Sequence, residues 1–416
     1  MKQTPKHITV YEHETLRVDR GEQRISDAQL EALQVFYGEN GVSYYSLVHN
    51  GVKFNEYVGV LQVGQTTIEI LPKADKSGNA ESWRKMLIGM LRASGVFNIQ
   101  APSSSNLHVR SNSILDLYFE LYIKELEYLV HQGLVKKYRK TESNQNSLKG
   151  SLQFSKHIQK NLVHKERFFV KYTTYDKDHT LHQVLFKALK LLKVINTNEA
   201  LHSRIGSLLL HFPEVSDIKI STALFDKLQL DRKTASYKTS IDIAKLILLN
   251  YHPDIKRGRN DVLALMFDMN ALWEQFVFTS LRKHKVEDST VIAQHSRNFW
   301  KPESGARSSM KPDIVINKDK ANCIVLDTKW KNLNGYNPSP EDLRQMYVYK
   351  NYYKAQKVAL IYPGMQTSFK SGKYFIEGTS EISESECSII SITVETEIHR
   401  WQKAIAEKIG EWGEGK

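Results

Sequence analysis

The sequence predicts a multidomain α+β chain: an N-terminal β-rich part, a mainly helical middle region, and a C-terminal α/β part built on a mixed central sheet. Three observations carry this expectation. The chain has 416 residues, more than one hydrophobic core usually organises. Hydrophobic residues make up 41% and charged residues 25%, which is ordinary globular usage and enough apolar side chain for folding throughout. The hydrophobic period also changes along the chain, from alternation, to helical spacing, to helix and strand in turn.

Residues 8–73 alternate as strands do, in ITVYEH and then VSYYSLVHNGVKFNEYVGVLQVGQTTIEILPK, with Asn50-Gly51 and Gly64-Gln65 suited to hairpin turns. A helical period follows in ESWRKMLIGMLRAS, where Trp83, Leu87, Met90 and Leu91 share a face. The polar break APSSSN then marks a boundary, so the first domain is expected over 1–105. The middle domain, 106–255, reads as helices at SILDLYFELYIKELEYLVHQGL, HTLHQVLFKALKLLKVI and TSIDIAKLILL. Between the first two runs a polar, basic connection, KKYRKTESNQNSLKGSLQFSKHIQKN, with strand-like LQF in it. The third domain, 256–416, predicts a helix at DVLALMFDMNALWEQFVFTSLRKH, a strand near STVIAQH and a hairpin over 311–330. A helix at PEDLRQMYVYKNYYKA, a strand at KVALIYP and a final helix from about Val394 follow. No internal repeat is visible.

Lys plus Arg number 58 against 46 Asp plus Glu, a formal charge of +12 that favours a polyanionic partner. Cys323 and Cys387 are the only cysteines, too few for a disulfide framework, a four-cysteine zinc site or a four-thiolate cluster. A reducing, cytoplasmic setting is expected. The N-terminus lacks the apolar core of a signal peptide, and no run approaches the roughly 18 apolar residues of a membrane span. His157, His164, His179 and His182 lack tight ligand spacing and read as non-metal residues.

The chemistry concentrates in KPDIVINKDKANCIVLDTKW, residues 311–330. Side chains alternate along a strand, so Asp327 and Lys329 share a face. The Asn317-to-Asn322 turn folds the preceding strand back, so Asp313 approaches Asp327 if the register allows. Two carboxylates at the end of buried strands repel and resist desolvation, a cost that a divalent cation, Mg2+ first, removes. Such a metal could acidify a water and polarise a phosphodiester, with Lys329 stabilising charge. An acid-x-Lys triplet alone is weak evidence, because Asp217-Ile218-Lys219, Asp231-Arg232-Lys233 and Pro253-Asp254-Ile255-Lys256 carry comparable charges in turn or surface contexts. Pro312-Asp313, the hairpin length and the apolar lead-in distinguish 311–330. Glu274, among Leu272, Trp273, Phe276 and Val277, is either a further metal-directed carboxylate or a boundary residue in a salt bridge. Gln345 and Tyr349 share one helix face, for the site or for simple packing. Lys136, Lys137, Arg139, Lys140 and Lys149 are candidates for DNA-backbone contact, with a solvated charge run as the alternative.

The ordered set of Glu274, Asp313, Asp327-x-Lys329 and Gln345-x-x-x-Tyr349 resembles the PD-(D/E)xK nuclease superfamily in its RecB-type variant. That resemblance implies Asp313 and Asp327 as metal ligands, Lys329 as catalytic lysine, Glu274 as auxiliary acid, and Gln345 and Tyr349 as supports of the site or the DNA. Upstream, VGVLQVGQTTIEILPKADKSG followed by WRKMLIGML resembles the N-terminal signature of McrC proteins. NSLKGSLQFSKHIQKN followed by RFFVKYTTYDKDHTLHQVLFKAL resembles their central segment, with Leu148-Lys149-Gly150 and Asp178 at motif positions and Ser151 where arginine is expected. The resemblance implies a Mg2+-dependent endonuclease subunit, with Mn2+ as an alternative, acting on double-stranded DNA. It also implies a partner, a McrB-like hexameric AAA+ GTPase that recognises methylated DNA, docks the N-terminal region in its pore and has its GTP hydrolysis stimulated. This chain has no Gly-x4-Gly-Lys-Ser/Thr loop, so GTP is expected on the partner. Two other readings are a non-catalytic DNA-binding or GTPase-activating adaptor, and a free-standing RecB-like nuclease. The Cas4 form of the latter requires four cluster cysteines.

Overall fold

The computed structural model describes residues 6–38, 41–73, 79–94, 114–252, 261–284, 289–331, 333 and 336–414. The expected boundaries at 105/106 and 255/256, and the triplet in 253–256, lie outside the described residues. The chain forms two compact units: Met1–Lys6, Gln62–Thr66 and Ile99–Leu265 make one, and His7–Leu61, Thr67–Asn98 and Met266–Lys416 make the other. The N-terminal strands therefore group mostly with the C-terminal third, an arrangement that a single cut along the sequence does not express. The fold is α+β with mixed sheets. Among the described residues no helix is long and apolar enough to cross a membrane.

The first unit carries helices Ile114–Gln132, Thr180–Ile195, Glu199–His211 and Lys238–Leu249. The basic connection expected between the first two instead carries a strand, Lys137–Gln145, paired over its whole length with Phe168–Asp176, whose other edge takes Ser151–Leu152. Apolar alternation is weak there because one face of the strand is exposed and the other only half-buried. Gly150 sits at φ +78°, and a Cβ there would lie 2.4 Å from the Lys171 carbonyl oxygen. That close approach requires glycine in the Leu148-Lys149-Gly150 motif. Asp178, the other motif position, accepts from Gln183 Nε2 (2.8 Å), Ser216 N (2.9 Å) and Ser216 Oγ (2.6 Å) and pairs with Arg139 (3.2 Å).

In the second unit the Tyr45–Val48 and Gly51–Phe54 strands form the expected hairpin, with Asn50 at φ +54°. Between the N-terminal strands lies a helix the alternation conceals, Asp27–Tyr37, opened by a capping box between Ser26 and Gln29. The strand Val262–Asp268 stands where the start of a helix is expected. A strand apolar on both faces has no period to distinguish it from a buried helix. Asp268 ends the strand and caps helix Met269–Lys283 by accepting from Asn270 N and Ala271 N.

The central sheet has six strands in the order Val291–Ala293, Ile314–Ile316, Ile324–Thr328, Lys357–Gly364, Ile382–Thr393, Ser368–Phe375. Its outer pairs are antiparallel, while Ile324–Thr328, Lys357–Gly364 and Ile382–Thr393 run parallel. The last two strands in chain order are absent from the sequence reading, and the final helix starts at Ile398. One face of the sheet packs Val315, Val325, Val358, Leu360 and Tyr362 against Met346, Tyr349 and Tyr353 of helix Pro340–Tyr353. Helices Met269–Lys283 and Ile398–Glu414 pack on each other, joined through Trp273, Phe276 and Trp401.

Candidate active site

The hairpin over 311–330 forms, and its register decides the site. Ile314 pairs with Leu326, Val315 with Val325 and Ile316 with Ile324. One step further along that register sets Asp313 across from Asp327. Left-handed residues Asn317 (φ +52°) and Asp319 (φ +61°) make the turn. Asp313 Oδ2 accepts from the Thr328 backbone N (2.6 Å) and from Thr328 Oγ1 (2.7 Å), which fixes its carboxylate at the strand end.

Asp327 continues the face of Cys323 and Val325, which packs on helix Pro340–Tyr353, and is only 2% exposed. Lys329 Nζ lies 2.7 Å from Asp327 Oδ2. That contact joins two charges, and Oδ2 has no hydrogen bond of good geometry. Burial pushes the Asp327 carboxyl up, and the charge of Asp313 pushes it further, to about 6, against the opposing pull of Lys329. Burial by itself would lower Lys329, but the neighbouring Asp327 carboxylate prevails and its ammonium is held above the ordinary lysine value.

Glu274 belongs to this group. Burial and the charge of Asp313 raise its carboxyl to about 7, with a hydrogen bond from Gln294 Nε2 to Oε1 (2.8 Å) opposing. Gln345 Nε2 donates to Tyr349 Oη at 2.9 Å, and burial followed by the charge of Asp327 raises the Tyr349 phenol. The structure thus brings Asp313, Asp327, Lys329, Glu274, Gln345 and Tyr349 into one neighbourhood. Lys136, Lys137, Arg139, Lys140 and Lys149 belong to the other unit. There Lys137 pairs with Asp231 (3.5 Å), Arg139 with Asp176 (3.3 Å) and Asp178 (3.2 Å), and Lys149 Nζ sits 4.8 Å from the Tyr172 ring centroid. Lys136 and Lys140 are exposed.

Four residues of the neighbourhood escape the sequence reading. Asp342, paired with Lys331 at 2.8 Å, acts on both Asp327 and Lys329. Its Ser-Pro-Glu-Asp setting reads only as a helix start, in which Ser339 is the N-cap and its Oγ accepts from the Asp342 N–H (3.1 Å). Thr328 hides as the middle of the triplet. Gln294 leaves no signal in the sequence; it holds Glu274 while its own N–H donates to Asp313 O (2.8 Å) from a left-handed backbone, φ +48°. Trp330 anchors the strand end: its N–H donates to Asn270 Oδ1 (3.1 Å) and its indole Nε1 to Glu12 Oε1 (2.9 Å). Glu12 is buried and its carboxyl is raised by that burial, and the same oxygen also accepts from Lys73 N at 2.7 Å. The Lys73 end of the N-terminal signature is thereby tied to the residue after Lys329.

Among the described residues no group of three or more His, Cys, Asp and Glu is arranged to hold an ion. Asp313 and Asp327, with Glu274 near them, offer carboxylate oxygens, a set suited to a hard cation that fills its other positions from water and substrate.

A curated restriction enzyme of Escherichia coli (strain K12), the type IV methyl-directed restriction enzyme EcoKMcrBC, is 22% identical over 303 residues, 67% of this chain and 85% of that protein. A half-complex of Thermococcus gammatolerans McrB AAA+ hexamers with bound McrC contains a chain that superposes with TM-score 0.71 at 21% identity. The match covers 98% of this chain and 100% of that one. A second structure, the Thermococcus gammatolerans McrBC complex, gives TM-score 0.51 at 21% identity over 68% of this chain and 89% of that one. The family described as McrBC 5-methylcytosine restriction system component matches residues 52–363, a span that includes the hairpin, both carboxylates, Lys329, Gln345 and Tyr349, and the chain belongs to that family.

Proposed function

We propose that this chain is the McrC-type nuclease subunit of a McrBC-like restriction system, a Mg2+-dependent endonuclease that hydrolyses phosphodiester bonds of double-stranded DNA through a PD-(D/E)xK site. The observation that carries the reading is the juxtaposition of Asp313 with Asp327 across one antiparallel pair, with Lys329 2.7 Å from Asp327. The donor set fits Mg2+, which is commonly held by one or two carboxylates and keeps several waters. When bound, the cation would neutralise phosphate charge and lower the pKa of a water.

The chain's own residues do the rest. Thr328 holds Asp313 in place, and the buried strand holds Asp327. Lys329, kept protonated by Asp327, presents positive charge to the phosphate as negative charge develops on it. Glu274, with its carboxyl near 7, exchanges a proton close to neutral pH. Gln345 supports the Tyr349 hydroxyl beside the carboxylates. By likeness to the chains solved with McrB AAA+ hexamers, the proposed partner is such a hexameric GTPase. It carries the GTP and recognises modified DNA, and this chain stimulates it. The buried, unlinked Cys323 and Cys387 suit the reducing cytoplasm proposed as its location.

The test is plasmid cleavage with Mg2+, with and without the AAA+ protein and GTP, for the native chain and Asp327→Ala. Cleavage lost in Asp327→Ala supports the site. Metal-dependent cleavage that survives the substitution refutes it, and stimulated GTP hydrolysis without any cleavage favours the adaptor.

A further inference from the structure

Between the strand Val291–Ala293, which Gln294 follows, and the strand Ile314–Ile316, which Asp313 precedes, the chain leaves the central sheet as a two-stranded ribbon, Arg297–Trp300 paired with Ser308–Met310. Both ends of the ribbon are fastened to the candidate site. On the entering side, Gln294 donates to Glu274 Oε1 and to Asp313 O. On the leaving side, buried Met310 joins the core cluster beneath helix Pro340–Tyr353, and Lys311-Pro312 runs directly into Asp313. The ribbon therefore has a set position beside the carboxylates.

Its composition is unlike that of a solvated hairpin. Phe299 and Trp300 are 46% and 57% exposed, and a register irregularity between Asn298 and Trp300 re-aims the strand there. Lys301, Arg307 and Lys311 are exposed, and Glu303 is the only acid from Arg297 to Lys311. Arg297 is committed to packing, with NH1 donating to Tyr352 O (2.7 Å) and its guanidinium 5.7 Å from the Tyr353 ring centroid. The basic strand of the other unit has Lys137 and Arg139 neutralised by acids, whereas Lys301 and Arg307 have no ion-pair partner among the described residues, and Lys311 acts only at longer range on the Glu274 carboxyl, pulling it down.

We propose that this ribbon is a substrate-gripping element for double-stranded DNA. Lys301, Arg307 and Lys311 contact phosphates flanking the scissile one, and Trp300 packs against sugars and base edges. A two-stranded β-ribbon has the width that the major groove of B-DNA admits, and phosphate contacts of this kind set position without reading sequence. The inference rests on the nuclease reading for the location of the cut. The grip itself is tested independently of cleavage.

The binding test uses the full-length chain carrying Asp327→Ala and a fluorescein-labelled duplex, followed by anisotropy over a range of salt. Lys301→Ala with Arg307→Ala is expected to weaken binding about ten-fold at moderate salt and to lower the salt slope by about two, the loss of two phosphate contacts. Trp300→Ala is expected to weaken it about ten-fold with the slope unchanged, the loss of apolar surface buried against the duplex, and Trp300→Phe to recover most of that loss. Lys373→Ala, on the strand Ser368–Phe375, is the control expected to bind as the parent does. With an intact Asp327, and with the AAA+ partner, GTP and Mg2+, the ribbon variants are expected to raise KM and leave kcat within about three-fold. Parent-like affinity and salt slope in the ribbon variants would overturn the proposal even if cleavage is robust. An uncleaved duplex with the binding losses intact would instead overturn the nuclease reading and leave the grip standing.

Discussion

Two triplets of this chain look alike in sequence, and each sets an aspartate against a lysine, yet they differ in burial and in the direction in which the carboxyl is shifted. Asp217-Ile218-Lys219 lies in an irregular segment of the first unit, with the Asp217 side chain 79% exposed and paired with Lys187 at 2.9 Å. Its carboxyl is held below the usual range, first by the hydrogen bond from Lys187. Asp327-Thr328-Lys329 ends a buried strand, with the Asp327 side chain 3% exposed, and its carboxyl is driven up to about 6. Water screens the first pair and makes it energetically slight. Exclusion of water from the second leaves a carboxylate whose charge a cation or a proton must relieve. Burial, more than residue identity, separates the surface ion pair from the candidate site.

The largest expected effect breaks that comparison directly. Asp327→Asn or Lys329→Ala is expected to slow Mg2+-dependent cleavage by about a thousand-fold, the scale typical of a lost metal ligand or charge stabiliser. Asp217→Asn is expected to leave the rate within two-fold in the same assay. Equal losses at both triplets would remove the distinction.

A second effect concerns pH, where Asp327 and Glu274 of the second unit and His182 of the first carry opposite signs. Asp327 and Glu274 have folded pKa values raised to about 6 and about 7. Stability from these groups is thus greatest below their unfolded values and is lost as pH rises through 6 to 7. In the first unit burial and the neighbouring His179 depress His182 to about 4, so its contribution is present above its unfolded value and is lost as pH falls from about 6.5 towards 4. Metal-free melting curves are expected to show the high-pH loss shrinking on addition of Mg2+ and in Asp327→Asn, while the low-pH loss persists in both. A Mg2+-insensitive high-pH limb would count against the carboxylate pair as a metal site.

Smaller effects sharpen the contrast between anchoring and chemistry. Trp330→Phe removes the donor to Glu12 and leaves a buried carboxylate with one partner fewer. It is expected to cost about 1–2 kcal/mol by urea denaturation and to reduce cleavage far less than Lys329→Ala. Gly150→Ala, at φ +78° against the Lys171 carbonyl, is expected to cost about 1–3 kcal/mol. Hydrogen exchange in the strand Phe168–Asp176 should report it, with the second unit unchanged.

Much of the site was legible in the sequence because local chemistry declares itself locally. The greasy strand running into Asp327-x-Lys329, Pro312-Asp313 one hairpin earlier, and Gln345 four residues before Tyr349 are patterns over short separations, where backbone period dictates which side chains share a face. Elements with no such period were missed. The strand Val262–Asp268 is apolar on both faces, Lys137–Gln145 is polar nearly throughout, and Ser368–Phe375 is an exposed edge. Asp342 was concealed in a helix start that Ser339 caps.

Composition, charge, the hairpin and the order of the candidate residues follow from the chain alone, because each depends on residue type and neighbours close in sequence. The opposition of Asp313 and Asp327, the raised Glu274, the left-handed Gln294 and the tie from Lys73 through Glu12 to Trp330 were decided by tertiary structure. Strand register, burial and partners up to 318 positions apart, as for Trp330 and Glu12, are properties of packing that no local window contains.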